Sequence, residues 1–208
     1  IGCSRGMDKK IVTNAVRPDG TFSADFFKGI PSGKLRRYFS FKNVIDVFKI
    51  FAGFAASFFI LAKLKPSLLF SKGGFVSVPP CIAAKLLKIP VITHECDFTP
   101  GLANRINAKS AKLMLLSYED TKKFLSESNK SKSFVTGNPV RPVFYNASSK
   151  RGLEFIDIPE NHEKPVLLVL GGSSGALQIN KLVTENLDFL CKKFIVVHQT
   201  GMLNTDEA

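Results

Sequence analysis

The chain has 208 residues, of which 45% are hydrophobic and 22% are charged. These proportions are typical of a folded globular protein and exclude an intrinsically disordered one, and the length suffices for one large domain or one and a half ordinary ones. The net charge of +12 favours anionic partners, such as phosphate esters, nucleic acid or the anionic face of a membrane.

The cysteine pattern predicts reduced thiols and no metal site. No pair has C-x-x-C spacing, and no histidine stands at metal-ligand spacing from two of them. The cysteines are Cys3, Cys81, Cys96 and Cys191.

The chain shows neither the pattern of a signal peptide nor a long uncharged apolar run. The longest such run, residues 50–62, has 13 residues, whereas a membrane-spanning helix needs about 20. We therefore expect a chain that does not cross a membrane.

Near the N-terminus, Ile1 and Gly2 resemble the end of a strand, and a basic segment follows at residues 28–49, which contain six basic residues and one acid. Residues 33–42 interleave cations with aromatic side chains, and an apolar helix is predicted over 44–62. This combination suits docking at an anionic bilayer, with nucleic acid as an alternative. A solvated basic face and a helix packed into the core are the structural alternatives.

From residue 66 onwards, strand-like and helical patterns alternate, which predicts a parallel α/β sheet. The predicted strands are 66–71, 90–95, 112–117 and 133–137, and the predicted helices are 80–88, 101–111 and 119–126.

Residues 146–164 interrupt this alternation with serines, Pro159 and mixed charge, which predicts an interdomain linker. A strand at 165–170, a turn at 171–175, a helix at 176–190 and a strand at 194–198 then form one βαβ unit. Because one such unit cannot bury both faces of its sheet, the second domain is expected to be incomplete. The predicted division is an N-terminal domain at 1–145, a linker at 146–164 and the start of a C-terminal domain at 165–208.

The turn at residues 171–175, Gly-Gly-Ser-Ser-Gly, lies between the predicted strand and helix of the second domain. Backbone N–H groups at a helix N-terminus attract phosphate, and Ser173 can donate a hydrogen bond. Arg141 lies just before the linker, where a guanidinium can bind a diphosphate with two hydrogen bonds. A turn without ligand and an exposed arginine are the respective alternatives.

Two further turns follow strands at the carboxyl edge of the predicted first sheet, where open α/β sheets bind ligands. In the first, Gly73-Gly74 is followed by Phe75, which can contact an apolar ligand. The second, residues 94–101, begins His-Glu-Cys-Asp. Consecutive side chains diverge, which disfavours a metal site or a Cys–His nucleophile and favours polar groups lining a sugar pocket. A purely structural turn is the alternative for both.

With these motifs, the chain resembles the MurG family of bacterial N-acetylglucosaminyltransferases, in the family's order and spacing. The matching stretches are residues 33–40, 71–79, 94–104 (HECDFTPGLAN), 137–141 (GNPVR), 171–176 (GGSSGA) and 198–201 (HQTG). The resemblance implies an α/β protein of the GT-B type. It would comprise a Rossmann-like N-terminal domain lacking its first βα unit, and the first βαβ unit of a second Rossmann-like domain.

The family's reaction would be transfer of N-acetylglucosamine from UDP-N-acetylglucosamine to undecaprenyl-pyrophosphoryl-muramylpentapeptide, converting lipid I to lipid II. This inverting step serves peptidoglycan synthesis and hence cell-wall biogenesis, cell shape and cell division. The resemblance implies no cofactor, a peripheral location on the cytoplasmic side of the cell membrane, and an anionic membrane surface rather than nucleic acid as partner.

The resemblance also implies roles for individual residues. It assigns donor binding to Arg141, Gly172, Ser173 and Ser174. It also implies a donor contact for Asp97, at a position where many relatives have Asn. The acceptor and sugar pocket is assigned to Gly73, Gly74, Phe75, His94, Glu95, Thr99 and Gly101. The membrane-facing residues are Lys34, Arg36, Arg37 and Phe39.

Two features of the family are missing from this sequence. One is the opening glycine loop that ends in a histidine proposed to assist catalysis, so no catalytic residue is identified. The other is most of the C-terminal domain, including the parts that bind uracil and ribose. These 208 residues are therefore expected to be inactive by themselves. The alternatives are another GT-B UDP-sugar enzyme, such as a 2-epimerase, and a non-catalytic fragment that binds membrane or nucleic acid.

Overall fold

The structure, a computed structural model, describes residues 1–4, 8–17, 19–33, 41–172 and 175–201, without the side chains of 41–45. The chain divides into two compact units, Ile1–Pro139 and Val140–Ala208. This division lies a few residues before the predicted linker.

In the first unit, parallel strands alternate with helices. The strands are β1 (Gly2–Cys3), β2 (Gly29–Ile30), β3 (Leu69–Ser71), β4 (Val91–Glu95), β5 (Leu113–Leu116) and β6 (Ser133–Val135). The α-helices are α1 (Asp8–Asn14), α2 (Phe41–Leu64), α3 (Val78–Leu86), α4 (Leu102–Ala108) and α5 (Glu127–Lys130), and the 3-10 helices are Phe75–Ser77 and Glu119–Phe124.

The strands of the first unit form two parallel sheets. One contains β1 and β2, and the other has the order β3-β4-β5-β6. Within the described residues, β1 and β3 each pair with a strand on one side only. The named strands pair in parallel, so the carboxyl ends of β3 to β6 meet at one edge, which positions the candidate site.

The core of the first unit lies between the larger sheet and its helices. Strand β4, which has neighbours on both sides, is almost entirely buried, as expected for a β-branched run in a parallel sheet. Helix α3 starts with two prolines in its first turn, where the missing N–H groups cost nothing. Leu61, Cys81 and Val91 join α2, α3 and β4 in one apolar cluster.

Helix α2 is longer than the predicted apolar run. By length and composition, its stretch Asp46–Leu64 is long and apolar enough to cross a membrane. The predicted run at 50–62 is shorter because that count stops at every charged residue, whereas the helix continues through them. Of the stretch Asp46–Leu64, 17% is buried, and Gly53, Ser57 and Leu61 form its buried face. At Gly53 a Cβ atom would lie 2.3 Å from the carbonyl oxygen of Pro31, so glycine permits the close approach.

The second unit contains one βαβ arrangement. Its strands β7 (Val166–Leu170) and β8 (Ile195–Gln199) are parallel and pair over their full lengths. The helices are α6 (Ser149–Phe155), α7 (Leu177–Glu185) and α8 (Leu187–Lys193), with a 3-10 helix at Pro142–Asn146.

Three predicted segments differ from the structure. The predicted helix at 119–126 is a 3-10 helix that ends at the extended residue Leu125. The predicted helix at 176–190 is divided into α7 and α8 at Asn186, which has non-helical dihedral angles. Within residues 146–164, the hydroxyl of Ser148 accepts a hydrogen bond from the N–H of Arg151 and caps α6, so a serine interpreted as a linker signal begins a helix.

Candidate functional site

The carboxyl ends of β3 to β6 bring four sequence stretches to one edge of the larger sheet. The turn at residues 72–74 follows β3, residues 96–101 follow β4, Ser117 follows β5, and residues 136–138 follow β6. Two of these stretches contain the predicted pocket residues Gly73, Gly74, Thr99 and Gly101. His94 and Glu95 end β4, and Phe75 directly follows the first stretch, so the structure places the predicted pocket residues at one edge. The polar side chains at this edge define the candidate site.

His94, at the end of β4, connects three of these segments. Its side chain is almost completely buried, with 3% of the residue exposed. Nε2 lies 3.0 Å from the carbonyl oxygen of Gly137, and Nδ1 lies 2.8 Å from Nζ of Lys72. The Sγ atom of Cys96 is farther from Nδ1, at 3.5 Å. His94 therefore lies between the ends of β3, β4 and β6.

Glu95 organises the loop that follows it. Oε1 accepts a hydrogen bond of 3.0 Å from the N–H of Asp97, and Oε2 accepts hydrogen bonds of 3.0 Å from the N–H of Gly101 and from Nδ2 of Asn104. Gly101 is the N-cap residue of α4, so the carboxylate lies at the positive end of that helix. Both carboxylate oxygens are thus engaged within the protein.

Asn104 joins the loop to the sheet and to the glycine turn. Its Oδ1 accepts a hydrogen bond of 2.9 Å from the hydroxyl of Thr93, and its Nδ2 also lies 3.2 Å from the carbonyl oxygen of His94. Gly73 has a φ of +84°, and a Cβ atom there would lie 2.6 Å from Nδ2 of Asn104. Only glycine fits this position. Gly74 also has a positive φ but faces open space.

The remaining predicted residues of this edge are exposed. Asp97, Thr99 and Gly101 lie on the surface of the loop. Phe75 borders an apolar cavity of about 290 Å³. Other residues lining this cavity are Ile50, Val78, Leu102 and Ile106. A polar edge and an apolar cavity are therefore adjacent.

Sequence reasoning did not single out Lys72, Asn104, Ser117 or Asn138. Ser117 Oγ lies 2.9 Å from the carbonyl oxygen of Glu95 and 2.8 Å from Oδ1 of Asn138, linking the ends of β4, β5 and β6. All of them except Ser117 lie in motifs quoted for the resemblance. For Lys72, Ser117 and Asn138 the available signal was a polar residue at or just after the end of a predicted strand, whereas Asn104 lies within α4.

In the second unit, the predicted phosphate turn follows β7. Gly172 has a φ of +78°, and its carbonyl oxygen accepts a hydrogen bond of 2.8 Å from Nε2 of Gln199 at the end of β8. Asn180 of α7 is buried and donates a hydrogen bond of 2.9 Å to the carbonyl oxygen of Thr200. Ser173 and Ser174, the predicted hydroxyl donors, lie outside the described residues.

Arg141 belongs to the second unit rather than to the predicted N-terminal domain 1–145. It is exposed and is the N-cap residue of the 3-10 helix Pro142–Asn146. Its guanidinium lies 5.5 Å from the centre of the Phe144 ring, a cation–π contact that orients the planar group.

The predicted membrane-facing residues Lys34, Arg36, Arg37 and Phe39 lie outside the described residues. The helix that follows them, α2, has an exposed aromatic stripe. Phe48, Phe51 and Phe59 are 71%, 67% and 72% exposed. Across the described part of the chain, no three His, Cys, Asp or Glu side chains converge as metal ligands.

Two family descriptions match the chain. The glycosyltransferase family 28 N-terminal domain matches residues 4–116, and the glycosyltransferase family 28 C-terminal domain matches residues 166–208. The first match alone covers more than half of the 208 residues.

Curated relatives are similar along the whole chain. Identity is 57% over 207 residues with a Treponema denticola protein named UDP-N-acetylglucosamine--N-acetylmuramyl-(pentapeptide) pyrophosphoryl-undecaprenol N-acetylglucosamine transferase, covering 100% of this chain and 52% of the relative. A Staphylococcus carnosus protein of the same name is 42% identical over 207 residues, covering 100% of this chain and 54% of the relative. The chain spans about half the length of the curated relatives it matches.

Solved structures agree with the fold. The Acinetobacter baumannii MurG crystal structure matches with a TM-score of 0.51 at 25% identity, covering 83% of this chain and 43% of that one. A Neisseria meningitidis UDP-GlcNAc 2-epimerase bound to UDP-GlcNAc matches with a TM-score of 0.55 at 18% identity, covering 82% of this chain and 51% of that one. The predicted α/β fold of the GT-B type is confirmed.

Proposed function

The chain belongs to glycosyltransferase family 28, and we propose that it acts in transferring N-acetylglucosamine from UDP-N-acetylglucosamine to undecaprenyl-pyrophosphoryl-muramylpentapeptide. The observation that carries this proposal is the 57% identity, along the whole chain, to a protein named for this transfer. Because the chain spans about half of that relative, the reaction is proposed for the whole protein, and we expect these 208 residues to be inactive by themselves.

Donor binding is proposed for Arg141 and the turn after β7. An exposed guanidinium offers paired N–H donors that match the oxygens of a diphosphate. The turn at Gly171 and Gly172 leads to the start of α7, where backbone N–H groups and the helix dipole favour an anion. Ser173 and Ser174 would add hydroxyl donors. Asp97 is proposed to contact the donor sugar.

Acceptor binding is proposed for the carboxyl edge of the larger sheet. The exposed side chain of Thr99 offers a hydroxyl group that can hydrogen-bond a sugar. The cavity beside Phe75 is lined by apolar side chains and suits an apolar part of the same ligand. A sugar on a lipid carrier combines both chemical properties.

A peripheral location on the cytoplasmic face of the cell membrane is proposed for the whole protein. The exposed aromatic stripe of α2 supports it, because rings on a helix surface insert into the boundary of a bilayer. The basic residues Lys34, Arg36 and Arg37 precede this helix and would contact anionic headgroups. Nucleic acid is not proposed as a partner.

For the reaction itself we propose inversion at the anomeric carbon. The acceptor hydroxyl would attack in line, behind the bond to UDP, and the protein would contribute by holding both substrates in that geometry. The guanidinium of Arg141 would stabilise the negative charge that develops on the departing diphosphate. No described residue is assigned as the catalytic base.

The proposal is tested by incubating the whole protein with UDP-N-acetylglucosamine, with and without the lipid-linked acceptor. We expect UDP release that requires the acceptor, whereas a 2-epimerase would act on the donor alone. Arg141→Ala should lower kcat/KM by about tenfold or more, the loss of one charged hydrogen-bonded contact. The control Arg151→Ala, an exposed arginine of the same unit, should change it by less than about twofold. Donor turnover without acceptor would refute the proposal.

A further inference from the structure

The surroundings of His94 determine which ring nitrogen carries the hydrogen. A carbonyl oxygen only accepts hydrogen bonds, and the carbonyl oxygen of Gly137 lies 3.0 Å from Nε2. Nε2 must therefore carry a hydrogen. An ammonium group only donates, and Nζ of Lys72 lies 2.8 Å from Nδ1. Nδ1 must therefore present its lone pair, so both contacts are satisfied only by the neutral tautomer protonated at Nε2.

Two donors compete for the lone pair on Nδ1. The thiol of Cys96 lies 3.5 Å away and is a weak donor, whereas the ammonium of Lys72 is closer, at 2.8 Å, and charged. Charged donors form the shorter and stronger hydrogen bonds. Lys72 is therefore the partner that determines the state of the ring.

We propose that Lys72 is a positioning residue that fixes His94 as the neutral tautomer protonated at Nε2. In this state Nε2 of the imidazole donates a hydrogen bond to the carbonyl oxygen of Gly137 in the loop after β6. Nδ1 accepts a hydrogen bond from Lys72 in the turn after β3. The proposal deepens the proposed function and rests on it for the role of this edge as a substrate site.

The arrangement has a chemical consequence for the candidate site. His94 offers no ring nitrogen to a substrate, because both nitrogens are engaged within the protein. It is therefore excluded as a general base for the attacking hydroxyl unless Lys72 is displaced. Lys72 is exposed and His94 is buried. The group that this pair makes accessible to a ligand is therefore the ammonium of Lys72 and not the imidazole of His94. Such a group suits phosphate or carboxylate oxygens of a ligand.

Nitrogen-15 NMR of the chain labelled in its histidines tests the tautomer directly. The chain has three histidines, and His94→Gln identifies the signals of the relevant ring. At neutral pH we expect a protonated Nε2 and an unprotonated Nδ1 whose resonance lies upfield of a free lone pair. Lys72→Met should move the Nδ1 resonance downfield, and Lys72→Arg should restore it at least in part. Cys96→Ala is the matched control and should leave it in place.

A hydrogen on Nδ1 in the unmodified protein would overturn the proposal. It would also be overturned if Cys96→Ala shifted the Nδ1 resonance and Lys72→Met did not. Should Lys72→Met fail to fold, the unmodified chain and Cys96→Ala still decide the outcome. The measurement does not involve the transfer reaction. Failure of acceptor-dependent UDP release would therefore refute the proposed function and leave the tautomer result standing.

Discussion

Gly73 and Gly74 are adjacent glycines with nearly the same backbone conformation and different surroundings. Their φ angles are +84° and +78°, so an alanine at either position is strained by about 1 kcal/mol. At Gly73 the added Cβ atom would also lie 2.6 Å from Nδ2 of Asn104. That amide is held by hydrogen bonds to Thr93, His94 and Glu95, so it cannot move without breaking them.

We therefore predict that Gly73→Ala lowers the free energy of unfolding of the first unit by about 2 kcal/mol more than Gly74→Ala does. Urea denaturation of both variants, followed by circular dichroism, measures the difference. Equal losses of unfolding free energy in the two variants would show that the side chain of Asn104 can move at no cost and that the glycine turn is not packed against it.

At the scale of secondary structure, helix α4 depends on a carboxylate from a neighbouring strand. Gly101, the N-cap residue of α4, has no side chain to bond the first turn. From the end of β4, Glu95 accepts a hydrogen bond of 3.0 Å from the N–H of Gly101 itself and another from the side-chain amide of Asn104 in the first turn. Buried charged hydrogen bonds of this kind contribute more than neutral ones, and the negative charge is favoured at the helix N-terminus.

Glu95→Gln is predicted to destabilise the first unit by about 2 kcal/mol, because one acceptor becomes an amide donor that faces an N–H group. Protease cleavage in the loop at residues 96–101 should become faster in parallel. Glu119→Gln serves as the control, since the carboxylate of Glu119 is 70% exposed in its ion pair with Lys122, and exposed pairs contribute about 0–1 kcal/mol. If both variants unfold at the same urea concentration, Glu95 does not cap α4.

At the scale of the whole molecule, one buried thiol should make the stability of the protein depend on alkaline pH. Burial raises the pKa of the Cys81 thiol in the first unit from 9.0 to about 11, with a hydrogen bond from Ser71 acting in the opposite direction. The thiol of the unfolded chain ionises first, so the stabilising difference is complete below pH 9.0 and is lost as the pH rises towards about 11.

We predict that the first unit loses about 2 kcal/mol over this pH range through Cys81. Thermal unfolding of the protein and of Cys81→Ala between pH 8 and pH 11 measures this effect. It appears as a difference between the two proteins in the slope of unfolding free energy against pH. Parallel slopes for the two proteins would contradict the prediction.

Much of the fold could be predicted because local patterns dictate it. Apolar runs bounded by turn residues located β4, β5 and β7 within a few residues, since the strands of a parallel sheet are built from such runs. The division of the predicted helix at Asn186 and the capped helix at Ser148 were missed. Each depends on one residue whose side chain or backbone competes with the regular pattern.

The sequence by itself determined the class of fold, the order of the elements from β3 to β6 and around β7 and β8, and the turns that form the candidate site, because hydrophobic periodicity and glycine placement act over a few residues. Only the tertiary structure decided the roles within that site. Lys72, His94 and Gly137 lie far apart along the chain, and they meet only because parallel strands end at one edge of the sheet. Glu95 likewise became the cap of α4 through burial and geometry, which no local pattern encodes.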